Sequence, residues 1–195
     1  AIFPVHRAGI PTAIKNTNAP EDPGTMIVAE PTEACFRRPI TGIAGHKDFT
    51  LISIEKAMMN SELGFGRRVL QALEDFGVSF EHLPTGIDTM CVVLSTAELA
   101  PVRERVVKRI MELTEPDSVT IHDNMGIIAT VGRGMIHNPG TAARLFSALS
   151  REHVNVRMID QGSSELSILV GVDSIDFQPA IRAIYHEFVG GAEQR

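Results

Sequence analysis

The sequence contains one pattern twice, and this repeat restricts the possible folds more than any other feature. The stretch EKAMMNSELGFGRRVLQALEDFGVSFEHLPTGIDTMCVVL aligns with VGRGMIHNPGTAARLFSALSREHVNVRMIDQGSSELSILV. Met58 then falls on Met135 and Gly64 on Gly140, and one extra residue in the first copy (Glu62 or Leu63) accounts for the change of offset between them. A pattern that recurs in this way indicates two copies of one folding unit.

Each copy is predicted to fold as βαββαβ, the order of a ferredoxin-like unit. In the first copy Phe65, Val69, Leu73 and Phe76 recur at helical spacing, and Gly77 is expected to end that helix. The other predicted elements of the first copy are strands at 49–56, 78–83, 90–94 and 118–122 and a helix that begins at Pro101.

The second copy lacks one strand. Its predicted elements are strands at 126–131, 155–159 and 165–172 and helices at 141–151 and 177–189, and the tail GGAEQR cannot supply another strand. A sheet without its last strand would expose a hydrophobic edge, which proteins avoid. We therefore expect residues 40–46, which precede the first copy, to cross over and pair with the second. The fold class is predicted to be α+β, with the first unit inserted into the second.

A glycine-marked helix start, SELGFGRRVL, occurs at the same place in both copies. It is not a dinucleotide fingerprint, because the third glycine is replaced by Val69, and it lacks the Gly-Lys-Ser/Thr of a phosphate loop. A helix N-terminus nevertheless offers unpaired N–H groups that suit a carboxylate, and Gly64 would allow close approach to the backbone. The structural alternative is an ordinary helix start capped by Ser61 or Asn60.

Composition and spacing exclude several classes of function. The formal net charge is −6 and the 18 Lys and Arg residues are scattered, which argues against nucleic acid as the main partner. No apolar run approaches the roughly 20 residues of a membrane span. Cys35 and Cys91 lack the spacing of a zinc or redox pair, and we expect two reduced thiols in a cytoplasmic protein. The histidines show no metal-ligand spacing, so neither a metal site nor a catalytic residue is predicted.

Several stretches carry a family resemblance in the family's order, among them ITGIAGHKDFTLISIEKAMMN, VSFEHLPTGIDTM and GRGMIHNPGTAARLFSALS. They resemble the C-terminal regulatory region of bacterial aspartate kinases, a tandem of ACT domains, in its Gram-positive, lysine-pathway form. The resemblance implies that residues 1–36 are the end of the kinase domain and a linker, that 49–123 form the first ACT domain, and that 37–48 with 124–190 form the second. The family's Lys-Phe-Gly-Gly-type nucleotide segment is missing. The chain is therefore not expected to phosphorylate aspartate alone or to need a cofactor, since ATP and Mg would bind in the kinase domain.

The resemblance also implies a set of residues that bind a free amino acid. Glu81 and Asp88 could hold a second ammonium group, which favours lysine over threonine, although Glu81 could equally be a solvated carboxylate. Phe65 could pack beside the ligand's aliphatic stem or simply belong to the core. Asn138 is predicted to cap the second helix with Pro139 at its first position, which favours a purely structural role there. The full predicted set is Met59, Asn60, Ser61, Gly64, Phe65, Ser79, Phe80, Glu81, Thr85, Gly86 and Asp88 in the first copy, and His137, Asn138, Gly140 and Gln161 in the second.

The function implied by the resemblance is feedback regulation of aspartate kinase by an end-product amino acid, most simply lysine. The expected partners are that amino acid, the chain's own kinase domain and a second copy of the chain in a homodimer. Two alternatives remain open at this point: a dimerisation scaffold that binds no effector, and a threonine sensor. An ACT module controlling another enzyme is a third, against which the kinase-like leading segment counts.

Overall fold

The computed structural model describes residues 2–28, Glu33, Phe36 and residues 38–190; Cys35 and the tail at 191–195 lie outside the described residues. The helices are α1 (Ile2–Arg7), α2 (Phe65–Glu74), α3 (Thr96–Leu99), α4 (Arg103–Thr114), α5 (Thr141–Arg151) and α6 (Phe177–Phe188). The strands are β1 (Thr12–Ile14), β2 (Thr25–Ile27), β3 (Gly42–Glu55), β4 (Thr89–Ser95), β5 (Ser118–Val131), β6 (Val156–Asp160) and β7 (Ser167–Asp173). Single 3-10 turns follow β3 at Met59–Ser61 and β5 at Arg133–His137.

Both copies of the repeat are built on one antiparallel sheet with the strand order β4-β3-β5-β7-β6. Strands β3 and β5 are each 14 residues long and pair from Gly42–Val131 at one end to Glu55–Ser118 at the other. Each of these long strands contains two of the strands predicted separately. In the leading segment, β1 and β2 form a small sheet of their own.

The predicted crossover is confirmed by this pairing. Gly42 to His46 lie opposite Val131 to Ile127, and so the first half of β3 supplies the strand that the second copy lacks. The second half of β3 pairs instead with β4 and with the first half of β5, completing the first copy. The first unit is thus inserted into the second.

Each long strand bends near its middle, where one polar residue takes a left-handed conformation. Asp48 has φ 69° and Asn124 has φ 57°, and the register shifts between His46 and Phe49. Aspartate and asparagine tolerate this conformation better than most residues. Both bends lie next to the unit boundaries predicted from the sequence. We therefore propose that the first unit comprises 49–123 and that the second comprises 37–48 and 124–190.

The strand predicted at 78–83 was wrong as a regular strand. The structure has only two isolated bridges there, between His82 and Val93 and between Thr85 and Met90. Pro84 has no N–H to donate, so a continuous ladder with β4 cannot form through it. The segment still lies along the edge of β4, because Glu81 N–H donates to Val93 O at 2.8 Å and Cys91 N–H donates to Pro84 O at 2.8 Å.

Helix α2 ends as the sequence predicts. Gly77 has φ 66° and its N–H donates to Glu74 O, while Val78 N–H donates to Leu73 O. This pair of bonds is a Schellman motif, which satisfies carbonyls at the end of a helix. The same two bonds recur after α5, with His153 at φ 56° in the place of the glycine. The repeat therefore extends to the way each first helix stops.

Each unit has its own hydrophobic core between its two main helices and one face of the sheet. In the first, Ile52 and Ile54 pack with α2 and α4; in the second, Ile128 and Val170 pack with α5 and α6. A third cluster lies on the other face of the sheet and draws on both units. Its buried members are Leu51, Val93, Met125, Ile127 and Met158.

Polar contacts between the units lie on the same side as this third cluster. His82, beside the edge of β4, has its Nδ1 3.6 Å from Asp160 Oδ2 on β6, although these elements lie at opposite ends of the strand order. Arg157 Nη2 lies 3.0 Å from His122 Nδ1 of the first unit, and within the second unit its Nη1 lies 3.6 Å from Asp173 Oδ2. The sheet is therefore curved strongly enough to bring its two edges together.

Two sequence expectations concern thiols and membranes. Cys91 is a partly buried free thiol, and burial raises its pKa above the ordinary value. None of the helices formed by the described residues has the length and apolarity to cross a membrane.

The packing of α6 on the sheet gives a testable prediction. A Cβ added at Gly126 would lie 2.5 Å from Phe177 Cδ2, whereas one added at Gly42 would meet nothing within 4 Å. We expect Gly126→Ala to lower the free energy of unfolding by about 1–3 kcal/mol, the usual cost of overpacking a core. Gly42→Ala, on a sheet strand but in open space, should cost clearly less. Urea denaturation of both variants measures the difference, and equal losses would contradict the packing described.

Candidate functional site

The first loop, residues 56–64 after β3, is tied to the turn that precedes β4. Lys56 N–H donates to Asp88 O at 2.9 Å, Met58 N–H donates to Asp88 Oδ1 at 2.8 Å, and Asn60 N–H donates to Ile87 O at 3.1 Å. The structure therefore brings together the loop and turn that the sequence assigns to one site. One oxygen of Asp88 is already occupied in this role, so this residue positions the loop whatever else it contacts.

Helix α2 begins without a side-chain cap. Gly64 is the N-cap residue with φ 75°, a conformation that favours glycine. Ser61 Oγ instead contacts Asn60 Oδ1 at 3.3 Å, so the capping expected as the structural alternative is not formed. Within the described part of the chain, the N–H groups of Gly66 and Arg67 have no hydrogen-bond acceptor. Two donors and the positive end of a helix dipole therefore remain free at the loop.

Charged side chains hold the first loop against the start of α2. Lys56 Nζ lies 2.9 Å from Glu62 Oε2 and donates to Thr114 O at 2.6 Å, and Arg68 pairs with the other oxygen of Glu62. The Lys56 hydrogen bond, aided by the charges of Lys56 and Arg68, lowers the pKa of the Glu62 carboxyl below its ordinary value. Both cations lie over the Phe65 ring, 5.9 Å from its centre. Two positive groups share one negative group, so the cluster has a net positive charge.

Sequence analysis missed this cluster, although one signal was present. Glu62 is one of the two candidates for the extra residue of the first copy, and the second copy has no acidic residue at this place. An inserted residue in an otherwise repeated loop indicates a local difference between the copies. Its partners could not be found from spacing, because they approach it from β3 and α2.

The predicted residues of the first unit divide into a buried and an exposed group. Met59 and Phe65 are 4% and 3% exposed and belong to the core, as the structural alternative for Phe65 holds. The others lie at the surface: Asn60, Ser61, Gly64, Ser79, Phe80, Glu81, Thr85, Gly86 and Asp88. A ligand at the helix start would therefore meet backbone and polar groups first and would reach Phe65 only past Lys56 and Arg68.

The edge segment before β4 contributes a second group of predicted residues. Ser79 and Phe80 line a shallow depression between the C-terminal half of α2 and this edge. Glu81 holds its place through its backbone, and within the described residues its carboxylate has no hydrogen-bond or ion-pair partner. Glu81 is thus a free acceptor, whereas one oxygen of Asp88 is committed.

The second loop, residues 132–140 after β5, differs from the first. Helix α5 begins at Thr141 with Gly140 as its N-cap at φ 88°. The predicted cap by Asn138, with Pro139 as the first helical residue, is therefore wrong. The Asn138 amide instead donates to Gly134 O at 2.7 Å inside the loop, which stabilises the turn and not the helix start. His137 and Gln161 are exposed, and the His137 ring meets the edge of the Phe36 ring with centres 5.5 Å apart.

This arrangement suits the binding of a small anion better than chemical catalysis. The described residues contain no group of three or more His, Cys, Asp or Glu side chains placed to hold a metal ion. The free N–H groups at the start of α2 and the cations Lys56 and Arg68 suit a carboxylate group. A free amino acid carries such a group.

Comparison with known proteins places this geometry in a family. An ACT domain model matches residues 128–188. The chain is 44% identical over 192 residues to aspartokinase 3 of Bacillus subtilis (strain 168), an alignment covering 98% of this chain and 42% of that protein. It is 50% identical to the aspartate kinase of Clostridium acetobutylicum, with a TM-score of 0.88 over 96% of this chain and 43% of that one.

A further solved structure matches in fold alone. The regulatory subunit of aspartate kinase from Thermus flavus is 20% identical, with a TM-score of 0.67 over 76% of this chain and 98% of that subunit. The present chain spans less than half the length of the Bacillus and Clostridium proteins. It corresponds to the ACT-containing part of such enzymes. By sequence and fold together, the chain belongs with the regulatory ACT regions of aspartokinases.

Proposed function

We propose that this chain is an allosteric module that binds a free end-product amino acid at the first loop and regulates an aspartate kinase. The observation that carries the proposal is the uncapped start of α2, where Gly66 and Arg67 N–H groups lack acceptors beside an open loop. Charge-assisted hydrogen bonds from backbone N–H groups to an α-carboxylate would satisfy both donors. Lys56 and Arg68 would place two positive side chains close to the same group.

Lysine is the ligand we favour. Its second ammonium group needs an acceptor, and Glu81 offers a carboxylate that is unpaired among the described residues. Asp88 has one free oxygen left and could assist. Aspartokinase III of Escherichia coli has been crystallised with lysine and aspartate. At 20% identity that protein shares only the fold, so it supplies a ligand to test and no residue roles.

Regulation would act on a kinase activity outside the part of the relatives that this chain matches. The Clostridium relative is an allosteric enzyme, which supports a regulatory role for the matching region. An effector changes an equilibrium only by its difference in affinity for two states. A coupling of about 1–3 kcal/mol would give a 5- to 150-fold effect on the kinase. That the regulated enzyme transfers a phosphoryl group from ATP to aspartate is part of this proposal.

A homodimer would complete the surroundings of the first loop. Three large apolar side chains at or beside this loop are exposed: Met58 by 70%, Leu63 by 94% and Ile87 by 69%. Exposed apolar groups gathered at one place favour contact with another protein surface. The same observation favours the alternative of a dimerisation scaffold without effector. That alternative predicts a dimer by light scattering together with no heat of binding for lysine or threonine.

The two carboxylates give a prediction that separates lysine from threonine. Glu81→Gln should weaken lysine binding about tenfold and leave threonine binding unchanged, because only lysine has a second charge to pair. Asp88→Ala should weaken both ligands, because it removes the acceptor of Met58 N–H and loosens the loop. Isothermal titration calorimetry of the two variants and the parent chain measures this. Equal loss of both ligands in Glu81→Gln would remove Glu81 from the ligand's side chain.

The ion pairs of Glu62 with Lys56 and Arg68 at the first loop give a prediction about pH. A lowered pKa of Glu62 means that its ion pairs stabilise the loop above the ordinary glutamate pKa and are lost as the pH falls through the lowered folded value. Lys56→Met removes the largest cause, so the pKa of Glu62 should rise toward the ordinary value of about 4.3. Carbon-detected NMR titration of the Glu62 carboxyl measures it. Lys108→Met, at an exposed site on α4, is the control and should leave the pKa of Glu62 unchanged. A Glu62 pKa that is also unchanged in Lys56→Met would contradict the ion pair between Lys56 and Glu62.

A further inference from the structure

Two neighbouring residues of the edge segment before β4, Glu81 and His82, are bound to one residue of β4. Glu81 N–H donates to Val93 O at 2.8 Å, and Val93 N–H donates to His82 O at 3.0 Å. Two residues that oppose one form a β-bulge, which redirects side chains at the edge of a sheet. Because both residues hold the same partner, a displacement of Glu81 also displaces His82.

The side chain of His82 lies on the face of the sheet that is turned away from α2 and α4. His82 is bridged to Val93, a buried member of the third cluster, whereas the next residue, Leu83, packs against the core on the helix side. Paired residues of antiparallel strands share a face. On this face the His82 ring reaches the second unit, where its Nδ1 lies 3.6 Å from Asp160 Oδ2.

The second unit presents its edge strand β6 at this contact. Met158, two residues before Asp160, is 6% exposed and belongs to the third cluster together with Val93. Side chains two apart in a strand share a face, so Met158 and Asp160 approach the first unit side by side. The contact between the edge segment and β6 therefore has a buried apolar part and a polar part.

The polar part of the contact is weak when taken alone. A distance of 3.6 Å is too long for a hydrogen bond but suits an ion pair when the imidazole of His82 is protonated. The two side chains are 27% and 37% exposed, and water screens charges at such sites. The packing of Met158 in the third cluster must therefore supply part of the attachment.

We propose that the edge segment, residues 79–85, couples amino-acid binding at the first loop to the edge strand β6 of the second unit. This inference rests on the proposed function for its ligand. A lysine whose second ammonium group pairs with Glu81 displaces the bulge, and His82 transmits the displacement to Asp160. A ligand changes a distant element only through contacts that differ between two states, and this contact begins one residue from Glu81.

Hydrogen–deuterium exchange of the parent chain, read by mass spectrometry with and without saturating lysine, tests the coupling. Lysine should slow exchange at 79–85 and also at 156–160, in each case at least about fivefold, the lower end of usual allosteric effects. Slowing at 79–85 with none at 156–160 would overturn the coupling and leave the proposed function standing. No slowing at either place, together with no heat of binding for lysine or threonine, would refute the proposed function and the coupling with it.

Three variants show whether the effect passes through this contact. In Asp160→Asn the charge beside His82 is lost, and in Met158→Ala the buried part is lost. In both variants lysine should still slow exchange at 79–85, whereas its effect at 156–160 should fall at least about threefold. Glu152→Gln removes an exposed carboxylate of the second unit outside β6 and is the matched control, which should keep the full effect. A full effect at 156–160 in both Asp160→Asn and Met158→Ala would overturn the proposed route.

Discussion

The rest of the structure depends on the continuous pairing of β3 with β5. Each strand passes through both units, so the two units share a sheet and cannot separate without breaking this ladder. Side-chain packing on both faces depends on it as well. The helices of each unit cover one face, and the third cluster, with Leu51 from one unit and Met158 from the other, fills the opposite face. The bends at Asp48 and Asn124 let one ladder serve two cores.

The same pairing explains why the two loops differ. In antiparallel strands the end of β3 lies beside the start of β5, and the end of β5 lies beside the start of β3. The first loop follows β3 and therefore faces the short connection through Asp117. The second loop follows β5 and therefore faces the segment that leads into Gly42, residues 38–41. Inserting one unit into the other thus places the leading segment against one loop only.

The two loops have different surroundings. Beside the first loop, the N–H groups of Gly66 and Arg67 lack acceptors among the described residues, and Glu62 pairs with two cations. The exposed apolar side chains at this loop suit contact with another protein surface. The second loop is packed against the segment that leads back toward residues 2–28. A change of shape at the first loop could reach that segment along β3, whose two ends lie at the two loops. The fold therefore has a continuous physical link, through β3, between the first loop and the leading part of the chain.

Much of the fold was predictable because periodicity and turn residues are local signals. The stripe of Phe65, Val69 and Leu73, the stop at Gly77 and the unpaired edge that called for residues 40–46 all follow from such signals. The two wrong predictions have physical causes. Pro84 prevents a continuous ladder between the segment at 78–83 and β4. The Asn138 side chain donates to Gly134 O inside its own loop and does not cap α5.

Neither the Lys56–Glu62–Arg68 cluster nor the packing of residues 38–41 on the second loop could be predicted. They depend on contacts between elements distant in sequence, such as Lys56 with Thr114 or Gly134 with Arg38.

The most direct test of the central claim is the backbone NMR spectrum of the chain during titration with lysine. The amide proton resonances of Gly66 and Arg67 should shift strongly downfield as these groups gain a carboxylate acceptor. Both resonances should reach saturation with the same dissociation constant for lysine. The account predicts that the corresponding amides of Ala142 and Ala143 at the start of α5, which also lack acceptors among the described residues, shift clearly less than those of the first loop. Shifts at Ala142 and Ala143 with none at Gly66 and Arg67 would contradict the account.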